Sequence, residues 1–495
     1  MSSIEQKTEL LSGVSESGGI FGIWNHPNAN HLTYFGLHAL QHRGQASAGI
    51  TTSNNEKIYT HRGLGLLNHV FDKPELLQQL KGIHALGHVR SGSNLDLDET
   101  SNIQPFNFKF TQGHISLTHN GNITNAWSLR KELEEKGAVF HSTSDAEILT
   151  HLIRHSNHSS FEERLVDSVR QLKGGFNFGI LVEEGLFGIV DPSCFRPLVV
   201  GVTQSGSYII ASESCAIYSV GAEVVDYVSA GQYVLINDQG YTIKSYNNDR
   251  QVTIEPMEFI YFARPDSDIF DINVHSARKE TGKILAQEAP VANADIVIGV
   301  PNSSLSAASG YAEAADLPYE MGLIKHQYIG RTFIQPTKEM RDQGVRQKLS
   351  AVRKIVEGMS IVLVDDSIVR GTTSKRLVKL LKEAGAKQIH MRVASPPQRF
   401  PNYYGIDVQT NDQLIASDKS CQEICDMIGA DSLAFLSVEG LRQGIFNGHN
   451  HEGIDICTAA FDGKLSADIC DYQTIFDKYL TPIQKRILEG ENVDE

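Results

Sequence analysis

Ile361-Val362-Leu363-Val364-Asp365-Asp366-Ser367-Ile368-Val369-Arg370-Gly371-Thr372-Thr373 runs straight into SKRLVKLLKEAG (374–385), and this stretch decides the second half of the chain. An apolar run ends in two adjacent carboxylates; a Gly-Thr-Thr turn follows; then apolar residues recur at three-to-four spacing, as in a helix beginning near Ser374. Open α/β folds bind ligands beyond the carboxyl ends of their strands. Backbone N–H groups of such a loop, the Thr372 and Thr373 hydroxyls and the positive end of the helix dipole suit a phosphate. Asp365 and Asp366 would then face sugar hydroxyls or a magnesium ion, which prefers oxygen ligands and substrate phosphates. A bare Asp-Asp pair reads more readily as an ordinary capped connection than as a site; the full strand, acid pair, Gly-Thr-Thr and helix read as a site.

The surrounding sequence repeats the alternation. ADIVIGV (294–300) precedes SSLSAASGYAEAA (303–315), and KQIHMRVAS (387–395) follows the central helix. Strands alternating with helices of this length predict βαβ units in a parallel sheet. From Ile20 to about Tyr246 the texture differs: short apolar runs such as GSYIIASES (206–214) and GQYVLINDQGYTIKSY (231–246) predict a β-rich layer, with helices at NAWSLRKELEEKG (125–137) and FEERLVDSVRQLKGG (161–175). NNDRQVT (247–253) reads as a linker, and FLSVEGLRQGIF (435–446) and YQTIFDKYLTPIQKRILEG (472–490) as helical tail segments. The expected organisation is an N-terminal segment 1–17, a domain over 18–250, a second over 251–433 and a tail over 434–495.

The 495 residues, 41% of them hydrophobic, carry 59 Asp+Glu against 44 Lys+Arg, a formal charge of -15. With no Lys/Arg-rich run, nucleic acid and anionic membrane surfaces are not expected partners. No apolar stretch is long enough to span a bilayer, and MSSIEQKTELLSG lacks the n- and h-regions of a signal peptide, so a cytoplasmic location is expected. The six cysteines are scattered; Cys421 and Cys425 share a helix face but lack partners at ligand spacing and read as core residues.

The stretch 361–373 resembles the signature of the type I phosphoribosyltransferases, in which the acid pair contacts ribose hydroxyls and the loop grips the 5-phosphate of phosphoribosyl diphosphate. IGVPNSSLSAASGYAEA (298–314), LPYEMGLIKHQYIGRTFIQP (317–336) and EMRDQGVRQKLSAVR (339–353) extend the resemblance to the amidophosphoribosyltransferases, the enzymes that open purine synthesis, and it covers nearly the whole chain. The resemblance implies an N-terminal-nucleophile αββα sandwich followed by a type I phosphoribosyltransferase domain. It places magnesium at Ser303, Asp365 and Asp366, and phosphoribosyl diphosphate at Lys325, Arg331, Lys348, Asp365, Asp366, Ser367, Arg370, Gly371, Thr372 and Thr373. The polar, basic segment from Arg331 to Lys348 would be a loop that orders over the substrate and keeps water from it. The family also implies a homo-tetramer with purine nucleotides as feedback ligands.

In the first half, GGIFGIWN (18–25) and YFGLHALQHRGQASAGI (34–50) resemble the family's glutaminase domain, whose N-terminal cysteine attacks glutamine. The matching position is Gly18. Glycine supplies an α-amine but no thiolate, so the thioester route has no nucleophile. The resemblance puts the oxyanion hole at Asn120 and Gly121, the glutamine carboxylate and amine at Arg90 and Asp145, and further family blocks at Arg43 and Arg196. Two departures accompany Gly18: Ala46 stands where an acid is usual, and Arg90-Ser91-Gly92-Ser93 replaces Arg-Tyr-x-Thr, followed by NLDLDETSN (94–102). Some members hold an iron-sulfur cluster on four cysteines; the positions here are Pro256, Asn402, Cys457 and Ala460, and no cluster is expected. The expected reaction is therefore phosphoribosylamine formation with ammonia retained and glutamine impaired. Two alternatives stand beside it: a non-catalytic homologue that senses nucleotides, and a hydrolase using Ser17 as its nucleophile.

Overall fold

The computed structural model describes residues 18–91, 100–110, 113–247, 251–326, 349–406, 410–447, 453–491 and 493. Ser17, Arg331 and Lys348, and with them the loop reading of 331–348, lie outside the described residues.

The first half is built from strands β1 (Gly18–Ile23), β2 (Ser47–Ser53), β3 (Ile58–Leu64), β4 (His84–Arg90), β5 (Phe106–Phe110), β6 (Gly113–Ile123), β7 (Gly174–Val182), β8 (Gly185–Val190), β9 (Val199–Val202), β10 (Tyr208–Ala211), β11 (Glu223–Tyr227), β12 (Gln232–Asn237) and β13 (Gly240–Ser245). They form two antiparallel sheets, ordered β11-β9-β10-β1-β4-β2-β3 and β13-β12-β8-β7-β6-β5. The period-2 alternation of a strand assigns the faces. Ile20 joins Leu86, Leu186 and Ile210 between the sheets, whereas its neighbour Phe21 turns outward to Leu37 and Leu40 on helix α1 (Ala29–Ala39). Helices α2 (Ala126–Glu135), α3 (Glu147–His155) and α4 (Phe161–Val169) cover the outer face of the second sheet through Leu133, Ile148, Leu149 and Leu165. The result is the αββα sandwich expected from the resemblance. Because β1 is buried along its whole length in mid-sheet, its first residue, Gly18, is held inside the sandwich.

The second half contains the parallel sheet, β14 (Ile296–Gly299), β15 (Ser360–Asp365), β16 (Gln388–Val393) and β17 (Ser432–Phe435), in that order. Both faces are covered, which explains the uninterrupted apolar run of β15. Val362 and Val364 pack toward α5 (Val274–Glu288) and α6 (Leu305–Ala315); Ile361 and Leu363 pack toward α7 (Thr372–Glu383) and α8 (Cys421–Ile428). Helix α7 begins at Thr372, two residues before the position read from sequence, because Gly371 takes the left-handed conformation (φ 71°) that turns the chain directly into the helix.

The domain boundary expected after residue 433 falls inside β17, and α9 (Val438–Phe446) packs on α5 through Leu441 and Ile445, so the start of the expected tail belongs to the second core. The remainder returns to the first domain. After Ile454–Ile456 pairs with Val252–Ile254 at the start of the second domain, the Asp471 N–H donates to the Thr124 carbonyl at 3.0 Å, and the Tyr472 hydroxyl donates to Asn122 at 3.2 Å. No helix among the described residues is long and apolar enough to cross a membrane.

Candidate active sites

In the first domain, antiparallel pairing sets Gly18 opposite Arg90 on β4. The Gly18 N–H donates to Asn120 Oδ1 at 2.9 Å, and its carbonyl accepts from Arg43 Nε at 3.0 Å. Asn120 is fully buried on β6, and its Nδ2 has no hydrogen-bond partner among the described residues, leaving an amide donor beside Gly18. Such a donor, held dry and fixed, is what an oxyanion hole requires. Gly121 has φ 138°, and a Cβ there would lie 2.1 Å from the Gly175 carbonyl oxygen, so only glycine fits. Asp145 is buried nearby, accepting from the Ile123 N–H at 2.8 Å and facing His119 at 3.2 Å. Gly18, Arg90, Asn120, Gly121 and Asp145 are thus brought to one end of the sandwich. At position 18 itself there is no room: a Cβ would stand 2.6 Å from both His88 Nε2 and the Val89 carbonyl oxygen.

Behind Gly18 lies a buried ionic network that sequence reading did not assemble. Arg43 Nη1 reaches Glu213 at 2.6 Å and Glu258 at 2.9 Å, its Nη2 reaches Glu258 at 2.7 Å, and Arg196 Nη1 reaches Glu258 at 3.0 Å. Arg196 also donates to the Gly405 carbonyl of the second domain. Burial alone would raise the Glu213 carboxyl, but His42 and Arg43 hold it well below the usual carboxylate range. For Arg43, burial opposes the charge, and Glu258 and Glu213 more than offset it. The signal for Glu258 was a lone acid inside the apolar run PMEFIYFA (256–263), since a charge in such a run is buried and paired.

The second site stands at the carboxyl end of β15. The Ser304 hydroxyl donates to Asp365 at 3.2 Å, the Asp366 N–H to Asp365 at 3.0 Å and the Ser367 hydroxyl to Asp366 at 3.0 Å, while the Ser303 hydroxyl bonds Asp366. Burial, followed by the charge of Asp366, pushes the Asp365 carboxyl well above its ordinary range. Two carboxylates confined together in this way favour a cation. Among the described residues no group of three or more His, Cys, Asp and Glu forms a metal cage. A pair of carboxylates with the rest of the shell left to substrate and water is the donor set magnesium takes, so the residues fit that ion. Next to the pair, the first turn of α7 has no side-chain cap, and Thr372 and Thr373 are exposed. Those unsatisfied N–H groups and hydroxyls form an anion cradle.

Lys325 ends a short strand (Leu323–Lys325) paired with Leu349–Ala351. It lines a cavity of about 530 Å³ with Asn302, Ser303 and Arg278 on one side and Arg43, Gly44 and Ser91 on the other, so the two sites border one space. Arg278, not picked out in the sequence, is buried there, donating to the carbonyls of Phe259 at 2.5 Å and Ala263 at 2.8 Å. Arg370 is exposed at the rim of the phosphate loop. The four positions compared with cluster cysteines do not fit an iron-sulfur centre. They hold one sulfur, Cys457, which accepts from the Ser466 hydroxyl at 3.4 Å, while Asn402 donates to Glu255 at 2.8 Å.

Residues 88–219 match the glutamine amidotransferase domain family, and residues 276–407 match the phosphoribosyl transferase domain family. The chain is 54% identical over 480 residues to the amidophosphoribosyltransferase of Staphylococcus aureus (strain COL), covering 96% of each. It is 47% identical over 483 residues to that of Bacillus subtilis (strain 168), covering 97% of this chain and 99% of the relative. Among solved structures, the B. subtilis glutamine phosphoribosylpyrophosphate amidotransferase complexed with ADP and GMP superposes with a TM-score of 0.86 at 48% identity, covering 91% of this chain and 98% of that one. Two sites on two matched domains, with similarity running through nearly the full length of such relatives, place the chain in the amidophosphoribosyltransferase family of purine biosynthesis.

Proposed function

We propose that this amidophosphoribosyltransferase makes 5-phosphoribosylamine from phosphoribosyl diphosphate with ammonia as its effective nitrogen donor, its use of glutamine impaired. The observation that carries the reading is the contrast between the sites. At β15 the acid pair, the Ser303 and Ser304 hydroxyls and the uncapped α7 turn stand together, whereas at Gly18 there is neither a thiol nor space for one.

In this reading the first turn of α7, with Thr372 and Thr373, holds the 5-phosphate, and Asp365 and Asp366 hold the ribose hydroxyls. Lys325, with Arg331 and Lys348, meets the diphosphate. Magnesium held by Asp365, Asp366 and Ser303 supplies neutralisation of the diphosphate charge. The ammonia nitrogen bonds to C1 of the ribose as the C1–O bond to diphosphate breaks; the electron pair leaves with diphosphate, and the new ammonium group loses a proton to solvent. The 530 Å³ space bordered by Gly44 and Ser303 supports this reading, since it opens next to Ser303, one of the residues that would hold the magnesium. In the first domain, Arg90 and Asp145 retain the means to hold an amino acid, and Asn120 retains its amide donor, but the attack that opens the amide has no atom to make it. Assembly as a tetramer and feedback by purine nucleotides belong to the same reading; a relative has been solved with ADP and GMP bound.

The test is diphosphate release from phosphoribosyl diphosphate with ammonium and magnesium, using the chain as it stands and Asp366→Asn. Activity in the first that falls at least a hundredfold in the second supports the reading. No release by the unmodified chain rejects it in favour of a non-catalytic homologue.

A further inference from the structure

On the outer edge of the first domain, strand β5 and helix α3 border a cavity of about 750 Å³, within the range of small-molecule sites. Its lining is out of keeping with a chain of net charge -15: Arg62, Lys109, His141, Arg154 and His155 stand there with Lys136, which pairs with Glu132 at 2.6 Å, and His151, 3.6 Å from Glu147, the one carboxylate of the lining. That carboxylate is already committed. It accepts from the His141 N–H at 2.9 Å, the Ser142 N–H at 2.8 Å and the Ser142 hydroxyl at 2.6 Å, and it is 1% exposed. Lys109 and Arg154 are both exposed, and neither has an acidic partner among the described residues. A lysine on an edge strand and cations in a helix's last turn each have ordinary uses, guarding the edge and answering the helix dipole. Neither use requires that they line one concavity whose only acid is saturated.

We infer that this cleft is a binding site for a small phosphorylated polyanion, separate from the phosphate loop of the second domain. The cleft concentrates positive potential where the rest of the molecule is negative, which favours a compact polyanion over an extended one. Lys109 on strand β5 and Arg154 on helix α3 provide charged donors, and the imidazoles of His141 and His155 add further donors. An apolar surface for a base or sugar is present in Phe108 and in Val139, the latter 69% exposed. A neighbouring cavity of about 420 Å³ shares Lys109, Phe110 and Arg154 but carries Glu183 and Glu184, which sets the limit of the positive region. The wall also leads inward: Ser142 accepts Arg130 at 3.0 Å, Thr143 is bonded to Asn102 at 3.1 Å, and two residues on is Asp145 of the first-domain site.

The experiment uses the full chain with inorganic triphosphate and, separately, ADP as probes, read by calorimetry and by hydrogen exchange resolved along the backbone. Each probe is expected to protect residues 139–145 and 150–155. In Lys109→Ala and in Arg154→Ala, that protection should need about tenfold more probe, while any protection at 371–375 and the ammonia-dependent rate stay unchanged. Both substitutions are at exposed positions, and an unchanged melting temperature establishes that each variant is folded. Protection confined to 371–375, or equal affinity at 139–155 in the unmodified chain and the Lys109→Ala/Arg154→Ala double variant, would overturn the assignment.

Discussion

A Cβ at position 18 would meet His88 Nε2 and the Val89 carbonyl oxygen at 2.6 Å each, and the second of these is backbone that cannot rotate away. Restoring a thiol by Gly18→Cys therefore does more than add a nucleophile: it overpacks a central strand, at a cost of about 1–3 kcal/mol. The expected outcome is a lower melting temperature and no glutamate production from glutamine beyond that of the unmodified chain; a variant as stable as the parent that hydrolyses glutamine rapidly would show that the pocket accommodates a side chain. Gly18, Asn120 and Asp145 were named in the sequence from the family's blocks around them, and the structure sets the Gly18 N–H against Asn120 Oδ1 and Asp145 against the Ile123 N–H. Glu213 and Glu258 were not, because each is defined by partners about 170 and 215 positions away that only the folded chain brings together.

At the scale of elements, the parallel sheet was legible because β15 is buried on both faces and so reads as an unbroken apolar run; the first half was legible as β-rich from its short apolar runs, but β1, β2, β4, β7 and β8 are buried along their whole length, and their arrangement as a sandwich came from the family resemblance. Helix α3 was passed over although Ile148, Leu149, Leu152 and Ile153 fall on one buried face, and α1 because its buried face includes Thr33 and Gly36, which weaken the apolar pattern. Two elements carry predictions. Gly371 turns β15 into α7 with φ 71°, and a Cβ there would stand 2.8 Å from Ile415. Gly371→Val is expected to cost about 1–3 kcal/mol and to raise the KM for phosphoribosyl diphosphate more than it lowers kcat, because the displaced part is the phosphate cradle; steady-state kinetics checks this.

Glu147 anchors the start of α3. Burial would raise its carboxyl, but the His151 ring 3.6 Å away and hydrogen bonds from the Ser142 hydroxyl and the backbone N–H groups of His141 and Ser142 bring it down to about 2. A carboxyl lowered on folding contributes stability that is complete above its unfolded value, near 4.5, and is lost as the pH falls toward 2. The contribution at neutral pH is up to about 3 kcal/mol. Urea midpoints should accordingly separate the parent from Glu147→Gln at pH 7, and the gap should close between pH 4.5 and pH 2; a gap independent of pH would assign the loss to packing instead.

For the whole molecule, the two domains meet over charge as well as apolar surface. Glu258 is fully buried between Arg43, which holds the Gly18 carbonyl, and Arg196, which holds the Gly405 carbonyl. Removing one member of a buried ion group strands its partners, at about 3–5 kcal/mol. Glu258→Ala is expected to lose stability on that scale in equilibrium unfolding, whereas an exposed pair such as Lys136 with Glu132 contributes under about 1 kcal/mol. The same junction brings residues of both domains, Arg43, Gly44 and Ser91 from the first and Arg278, Asn302, Ser303 and Lys325 from the second, to one cavity.

We propose that synthesis resides at Asp365 and Asp366 and that the Gly18 site, lacking a side-chain nucleophile, cannot open an amide. The most direct measurement compares phosphoribosyl-diphosphate-dependent diphosphate release by the unmodified chain with ammonium and with glutamine as the only nitrogen source. Turnover is expected with ammonium, and a rate at least a hundredfold lower with glutamine. Equal rates with the two donors would contradict it.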